Sequence, residues 1–264
     1  MSQSTLDRPI TVWLTGASSG IGEALAQAML AQGHHVIATG RRREPLETLA
    51  AAYPDRVTVA PADTTDRGAL NGLTATFAEQ APLQMAVLNA GTCEYLDVEH
   101  FDADVIEHNL HTNVTGTARS VEAVLPALRE ACRQGLPAEL VIVGSSAWWF
   151  PFGRAEGYGA SKAALAYLAH SLRADLAAEG IRVTLVSPGF VKTPLTDRND
   201  FPMPCLIEAT EAADRIVKGL QRGASEIHFP RRFTLTLKLL GALPQSWVDR
   251  LAARMTRSSK EHPE

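Results

Sequence analysis

The sequence predicts a doubly wound α/β fold, a parallel sheet with helices on both faces. Three observations predict it. Short apolar runs alternate with amphipathic segments of helical length along the 264 residues. The runs lack a clear two-residue polar alternation, as expected of strands covered on both faces. A glycine-rich turn joins the first run to the first helical segment. With 45% hydrophobic residues the chain can fill a sizeable core. No linker divides it, so a single domain spanning residues 1–264 is expected, with a core at about 8–230 and an extension at 231–264.

Residues 10–15 are apolar and β-prone, and residues 21–32 carry a helical pattern that Gly33 ends. A strand at 35–39 completes a β–α–β unit. The alternation continues with a strand at 56–60, a helix at 66–81, a strand at 84–89 and a helix at 103–133. A strand at 139–144, a helix at 159–179 and a strand at 182–187 follow. Such units, joined by right-handed crossovers, wind the sheet in both directions. Residues 190–205 break the pattern with Pro194, Pro202 and Pro204 and with charges at Asp197, Arg198 and Asp200. A structureless stretch of that length reads as a lid or binding loop. A helix at 208–222 and a last strand at 226–229 precede the extension.

The net charge of −4 argues against nucleic acid as a primary partner, because no global basic excess exists to displace counterions. Cys93, Cys132 and Cys205 are odd in number, widely spaced and without metal-ligand spacing. They read as reduced thiols of a cytoplasmic protein. Residues 1–9 lack a signal-peptide core, and no apolar run approaches the ~18 residues of a spanning helix. His108 and His111 lie three apart on a helical segment, but no carboxylate–histidine pattern completes a metal site, so no metal is expected.

The turn after the first strand reads Thr15-Gly16-Ala17-Ser18-Ser19-Gly20-Ile21-Gly22. Its glycines let the backbone approach a pyrophosphate, and the following helix N-terminus offers free N–H groups. The second strand ends in Gly40-Arg41-Arg42-Arg43, with no carboxylate to accept from ribose hydroxyls. Arginines there suit a 2′-phosphate, Arg41 first and Arg42 next; the plainer reading is a solvated basic turn. Tyr158 and Lys162 lie four apart and share a helix face, where a nearby ammonium is expected to lower the phenol pKa. Ser145 sits at the C-terminal end of a strand, the sheet edge where such folds place ligands. Taken alone, a tyrosine and a lysine four apart are usually a surface pair.

The full set is Thr15-Gly16-x-x-x-Gly20-x-Gly22, Asn89-Ala90-Gly91, Asn113, Ser145, Tyr158-x-x-x-Lys162 and Pro188-Gly189. In this order and at these intervals it resembles the short-chain dehydrogenases/reductases, strongly over residues 10–193. The resemblance implies a seven-stranded Rossmann-type sheet. It also implies an oxidoreductase interconverting a carbonyl and a secondary alcohol with a nicotinamide cofactor, NADP(H) favoured over NAD(H). Gly16, Ser18, Gly20 and Ile21 would line the pyrophosphate and adenosine side, within a turn that includes Ser19 and Gly22. Asp63, followed by Thr64, would meet the adenine amino group. Asn89, Ala90 and Gly91 would border the cofactor, and Pro188, Gly189, Val191 and Thr193 would pack along the nicotinamide. Tyr158 would be the general acid or base, and Lys162 would bind the nicotinamide ribose. Ser145, preferred to Ser146, would hold the substrate oxygen, and Asn113 would hold a helix irregularity and a relay water. A homodimer or homotetramer through the helices of Asn113 and Tyr158 is also implied. A non-catalytic dinucleotide sensor and a nucleotide-sugar epimerase or dehydratase are the alternatives.

Trp148, with Trp149 and Phe150, reads either as the lining of an apolar substrate pocket or as ordinary packing. Residues 231–260 carry seven basic side chains and one acid, Asp249, a local charge of about +6 that leaves about −10 on the rest. Leucines with Trp247, Val248, Leu251 and Met255 at near-helical spacing, and Arg250, Arg254 and Arg257 between them, make this extension basic and amphipathic. A cover over the substrate cleft or a subunit contact is the favoured reading; peripheral attachment to an anionic membrane is the other.

Overall fold

Side-chain alternation explains why the strands read as unbroken apolar runs. In the computed structural model, residues 5–80 and 82–258 are described, with side chains through Met255. The strands are β1 (Thr11–Thr15), β2 (His35–Thr39), β3 (Val57–Val59), β4 (Leu83–Leu88), β5 (Ala138–Val143), β6 (Ile181–Pro188), β7 (Val191–Lys192), β8 (Ile207–Glu208) and β9 (Glu226–Phe229). Seven of them form one parallel sheet in the order β3-β2-β1-β4-β5-β6-β9. Val12 and Leu14 enter one core, with helices α1 (Gly20–Ala31), α2 (Arg43–Ala52) and α7 (Ala209–Gln221). Trp13 between them enters the other, with α3 (Arg67–Glu79), α5 (Gly116–Arg133) and α6 (Glu156–Leu176). Met85 and Val87 against Ala86 and Leu88 repeat this in β4. Successive side chains point to opposite faces, so a strand covered twice must be apolar throughout.

The strand order reverses between β1 and β4, which leaves a crevice at their C-terminal ends. The glycine turn and Asn89 both sit there. Helix α1 ends where Gly33 takes φ +88°. The N–H of Gly33 donates to the Leu30 carbonyl at 3.0 Å and that of His34 to the Met29 carbonyl at 3.2 Å. This double cap satisfies carbonyls that the helix end strands.

Two expectations are corrected, at 103–133 and 190–205, and two regions hold elements that the sequence did not mark. The helix expected at 103–133 is α4 (Ala103–Leu110), a π-helical turn (His111–Thr115) and α5. The side chain of Asn113, in that turn, is taken up by Thr92 and Ser161. Helix α2 has no counterpart in the sequence reading, because only Leu46 and Leu49 give it a buried face. The loop at 190–205 contains β7, paired with β8, and a 3₁₀ turn at Thr196–Arg198. The extension folds as two helices, α8 (Arg231–Gly241) and α9 (Gln245–Ser258), broken at Pro244. Ala81, expected to end a helix, and the Arg257 side chain and Lys260 of the basic tail lie outside the described residues. Among those residues, no helix is long and apolar enough to cross a membrane.

Candidate active site

Asn89 ties the crevice together. Its Nδ2 donates to the Thr15 carbonyl at 3.2 Å, and its backbone N–H and that of Ala90 both donate to Thr15 Oγ1 at 3.0 Å. Gly16 takes φ +69°, and a Cβ there would lie 2.8 Å from Asn89 Nδ2. A Cβ on Gly22 would meet the Gly16 carbonyl at 2.1 Å. Gly20 takes φ +57° and faces Thr193, whose Cγ2 would be 3.0 Å from an added Cβ. The turn therefore has glycine where side chains have no room or the backbone is left-handed.

Ser19 caps α1 without a side-chain hydrogen bond, which leaves the first N–H groups of a twelve-residue helix available to an anion. Arg42 donates from Nη2 to the Ser18 carbonyl at 3.3 Å and so reaches across the turn, while Arg41 is exposed. Asp63 accepts from the Thr65 backbone N–H at 2.8 Å and its hydroxyl at 2.7 Å. Burial works to raise the Asp63 pKa, but these bonds and the charge of Arg41 bring it below the usual carboxylate value. Thr64 is buried beside Gly116. An uncapped helix end, a glycine-rich turn and a nearby guanidinium fit the phosphates of a dinucleotide.

Across the crevice, Asn113 is fully buried. Its Oδ1 accepts from Thr92 N–H at 2.7 Å, and its Nδ2 donates to the Thr92 carbonyl at 3.0 Å and to Ser161 Oγ at 2.8 Å. Ser161 Oγ in turn donates to the Tyr158 carbonyl at 2.7 Å. The π-helical turn is thereby fastened to the first turns of α6, which carry Tyr158 and Lys162. Lys162 Nζ donates to the Val143 carbonyl at 3.3 Å and lies 5.6 Å from the Tyr158 ring centroid. A Cβ on Gly91 would be 2.9 Å from Asn113 Oδ1 and 3.5 Å from Lys162 Nζ, so this glycine holds open the space between them. Ser145 Oγ accepts from the Ala147 N–H at 3.1 Å, and its side chain lies near enough to the Tyr158 phenol to act on its pKa.

The expectation that Lys162 lowers the Tyr158 pKa is not met. Burial pushes the Tyr158 phenol above its ordinary value, the nearby Cys93 thiol adds to this, and the Ser145 side chain only partly opposes it. Burial also pushes Lys162 down to about 8. Desolvation disfavours both charged forms and is the largest cause of both shifts.

Trp148 donates from Nε1 to Ser187 Oγ at 3.3 Å and packs against Trp149 and His170. A cavity of about 490 Å³ borders Trp148, Trp149, Phe152, Gly159, Ala163 and Ala252, on the side of α6 away from Tyr158 and Lys162. Phe150, Leu237 and Val248 form a small core that seats α8 and α9 on this aromatic cluster. Phe233 of α8 closes over Gly189, where a Cβ would meet its ring at 2.9 Å. Pro188 ends β6, and Val191 is buried in β7. His108 Nδ1 lies 2.6 Å from a Glu94 carboxylate oxygen, and His111 lies near enough to Asp63 to contribute to its lowered pKa.

Two residues beside Tyr158 escaped the sequence reading. Cys93 acts electrostatically on both Tyr158 and Lys162, and burial first and then the Cys93 thiol raise the pKa of the Tyr95 hydroxyl. Tyr95 Oη donates to Asn199 Oδ1 at 3.0 Å, and Arg154 holds Asp200 at 2.8 and 3.0 Å. Their proximity to Gly91 was the available signal, but no spacing rule marks a cysteine or tyrosine there.

The sequence model of the short chain dehydrogenases matches residues 10–201. An uncharacterized oxidoreductase of Myxococcus xanthus is 37% identical over 93% of this chain and 97% of its own. The NADP-dependent 3-hydroxy acid dehydrogenase YdfG of Escherichia coli is 34% identical over 68% of this chain and 72% of its own. The crystal structure of a short chain dehydrogenase from Burkholderia cenocepacia in complex with NADP covers 94% of this chain and 98% of its own, with 26% identity and a TM-score of 0.80. The chain belongs to the short-chain dehydrogenases and is an NAD(P)-dependent oxidoreductase.

Proposed function

We propose that the chain interconverts a carbonyl and a secondary alcohol with NADP(H), on an apolar substrate, with Tyr158 as the proton-transfer group. The observation that carries this reading is the convergence of Ser145 and Lys162 on Tyr158 beside the crevice of the glycine turn. The bound dinucleotide would supply the hydride chemistry at its nicotinamide. Gly16, Ser18, Ser19, Gly20, Ile21 and Gly22 would seat its pyrophosphate, and Arg41 with Arg42 its 2′-phosphate. Ser145 would orient the substrate oxygen by a hydrogen bond. Tyr158 Oη, held protonated by burial, is in the state needed to donate a proton to that oxygen in reduction. Lys162, pushed down to about 8, can resupply that proton near neutral pH.

Support for NADP(H) comes from the two arginines and from the relatives, one NADP-dependent by name and one solved in complex with NADP. Support for an apolar substrate comes from the rings above the site. Phe201 lies 5.4 Å from Tyr95 and 6.2 Å from Phe190, which lies 5.4 Å from Phe233. Steady-state oxidation of NADPH against a panel of aliphatic, aromatic and acidic carbonyls tests the reading. Turnover of apolar carbonyls, faster with NADPH than NADH, is expected. Absence of turnover on every carbonyl would overturn it.

A further inference from the structure

The outer face of the C-terminal helix pair has features that its packing role does not use. The inner face is spent: Leu237 and Val248 are buried with Phe150, and Leu240 and Leu251 pack against them. On the outside, Leu235, Leu239, Leu243 and Trp247 are 47%, 71%, 37% and 59% exposed. They recur every four residues along α8, through the turn at Pro244 and into α9. Single exposed leucines are ordinary, but four large apolar side chains exposed within one short helix pair are not. Arg231, Arg232, Arg250 and Arg254 are exposed on the same two helices, with Asp249 the one acid along them.

We infer that this helix pair docks on an anionic lipid surface, leucines and Trp247 entering the interface and the arginines meeting the headgroups. Charge complementarity selects that occupant. Basic side chains beside an exposed apolar stripe are the composition of interfacial helices, and tryptophan favours the headgroup level. Residues 1–230 carry about −8 and the extension about +4, so an anionic surface attracts the extension and repels the rest, which fixes the orientation. A second copy of the chain fits less well. A two-fold contact pairs a patch with itself and would set these arginines against their like.

Flotation of the full-length protein tests this, and it requires no turnover, so it stands apart from the proposed reaction. Vesicles of phosphatidylcholine with phosphatidylglycerol, roughly seven to three, are compared with phosphatidylcholine alone at about 0.05 and 0.5 M salt. The wild type should float with the anionic vesicles at low salt and lose most of that association at high salt or without phosphatidylglycerol. Leu239→Ser with Trp247→Ser should cut the floated fraction about tenfold. Arg250→Glu with Arg254→Glu should do likewise. Both pairs are exposed, so melting temperatures should match the wild type. A wild type that stays at the bottom with every vesicle, or a serine variant that floats as well as the wild type, overturns the inference. So does a wild-type dimer that the serine variant splits, since the stripe then serves a second copy.

Discussion

Asn113→Ala should loosen the α6 end of the site at a cost that can be worked from its bonds. The fully buried amide makes three: from Thr92 N–H at 2.7 Å, to the Thr92 carbonyl at 3.0 Å and to Ser161 Oγ at 2.8 Å. Alanine strands both backbone groups of Thr92. Ser161 keeps its bond to the Tyr158 carbonyl and loses less. A stranded buried group costs about 1–3 kcal/mol. Thr92 is only half-buried, so water recovers part of this, and about 2–3 kcal/mol is expected in total. For a chain of this size that lowers Tm by about 4–12 °C. Turnover should fall further than stability at the assay temperature predicts, because the π-helical turn no longer holds the Tyr158 backbone. Differential scanning calorimetry and NADPH oxidation measure the two effects. A Tm within about 2 °C of wild type would refute the reasoning.

The depressed Lys162 pKa makes a prediction about pH. Between about 8 and the ordinary value of 10.5 the unfolded chain binds more protons at this site than the folded one, so its contribution to stability rises with pH. The slope is at most about 1.4 kcal/mol per pH unit, and Lys162→Met should abolish it. Tyr158 acts oppositely at higher pH: its raised pKa keeps the folded proton, so stability falls above the ordinary value of 10.0. Urea denaturation from pH 7 to 11 on wild type and both single variants, Lys162→Met and Tyr158→Phe, would separate these slopes. Arg41→Ala should weaken NADPH about tenfold or more with little effect on NADH, because a charge-assisted contact to a phosphate is worth about 1.5–3 kcal/mol. Equal losses with both dinucleotides would remove the 2′-phosphate role.

Much of the fold was legible because its signals are local. The continuous apolar strands record burial on both faces, as Trp13 shows, and Gly33 marks the end of α1 by its left-handed backbone. The glycine turn and the Tyr158–Lys162 spacing were visible for the same reason. What escaped depends on distant partners. The resemblance marked Asn113 for a helix irregularity, but the partners that fix the π-helical turn, Thr92 and Ser161, lie 21 and 48 positions away and carry no local signal. The loop at 190–205 is tethered by Arg154 to Asp200 and by Tyr95 to Asn199, neither of which any period reveals. Helix α2 escaped because two buried leucines make too weak a pattern. The Tyr158 pKa was read with the wrong sign because a lysine four residues on was visible in the sequence and the depth of burial was not.

Tyr158→Phe tests the central proposal most directly. The substitution removes the phenol hydroxyl on which Ser145 acts and keeps the ring. NADPH binding, followed by fluorescence titration, should stay within about threefold of wild type, while turnover of a reactive carbonyl should fall by about 10²-fold or more. Turnover equal to wild type with binding intact would contradict the account.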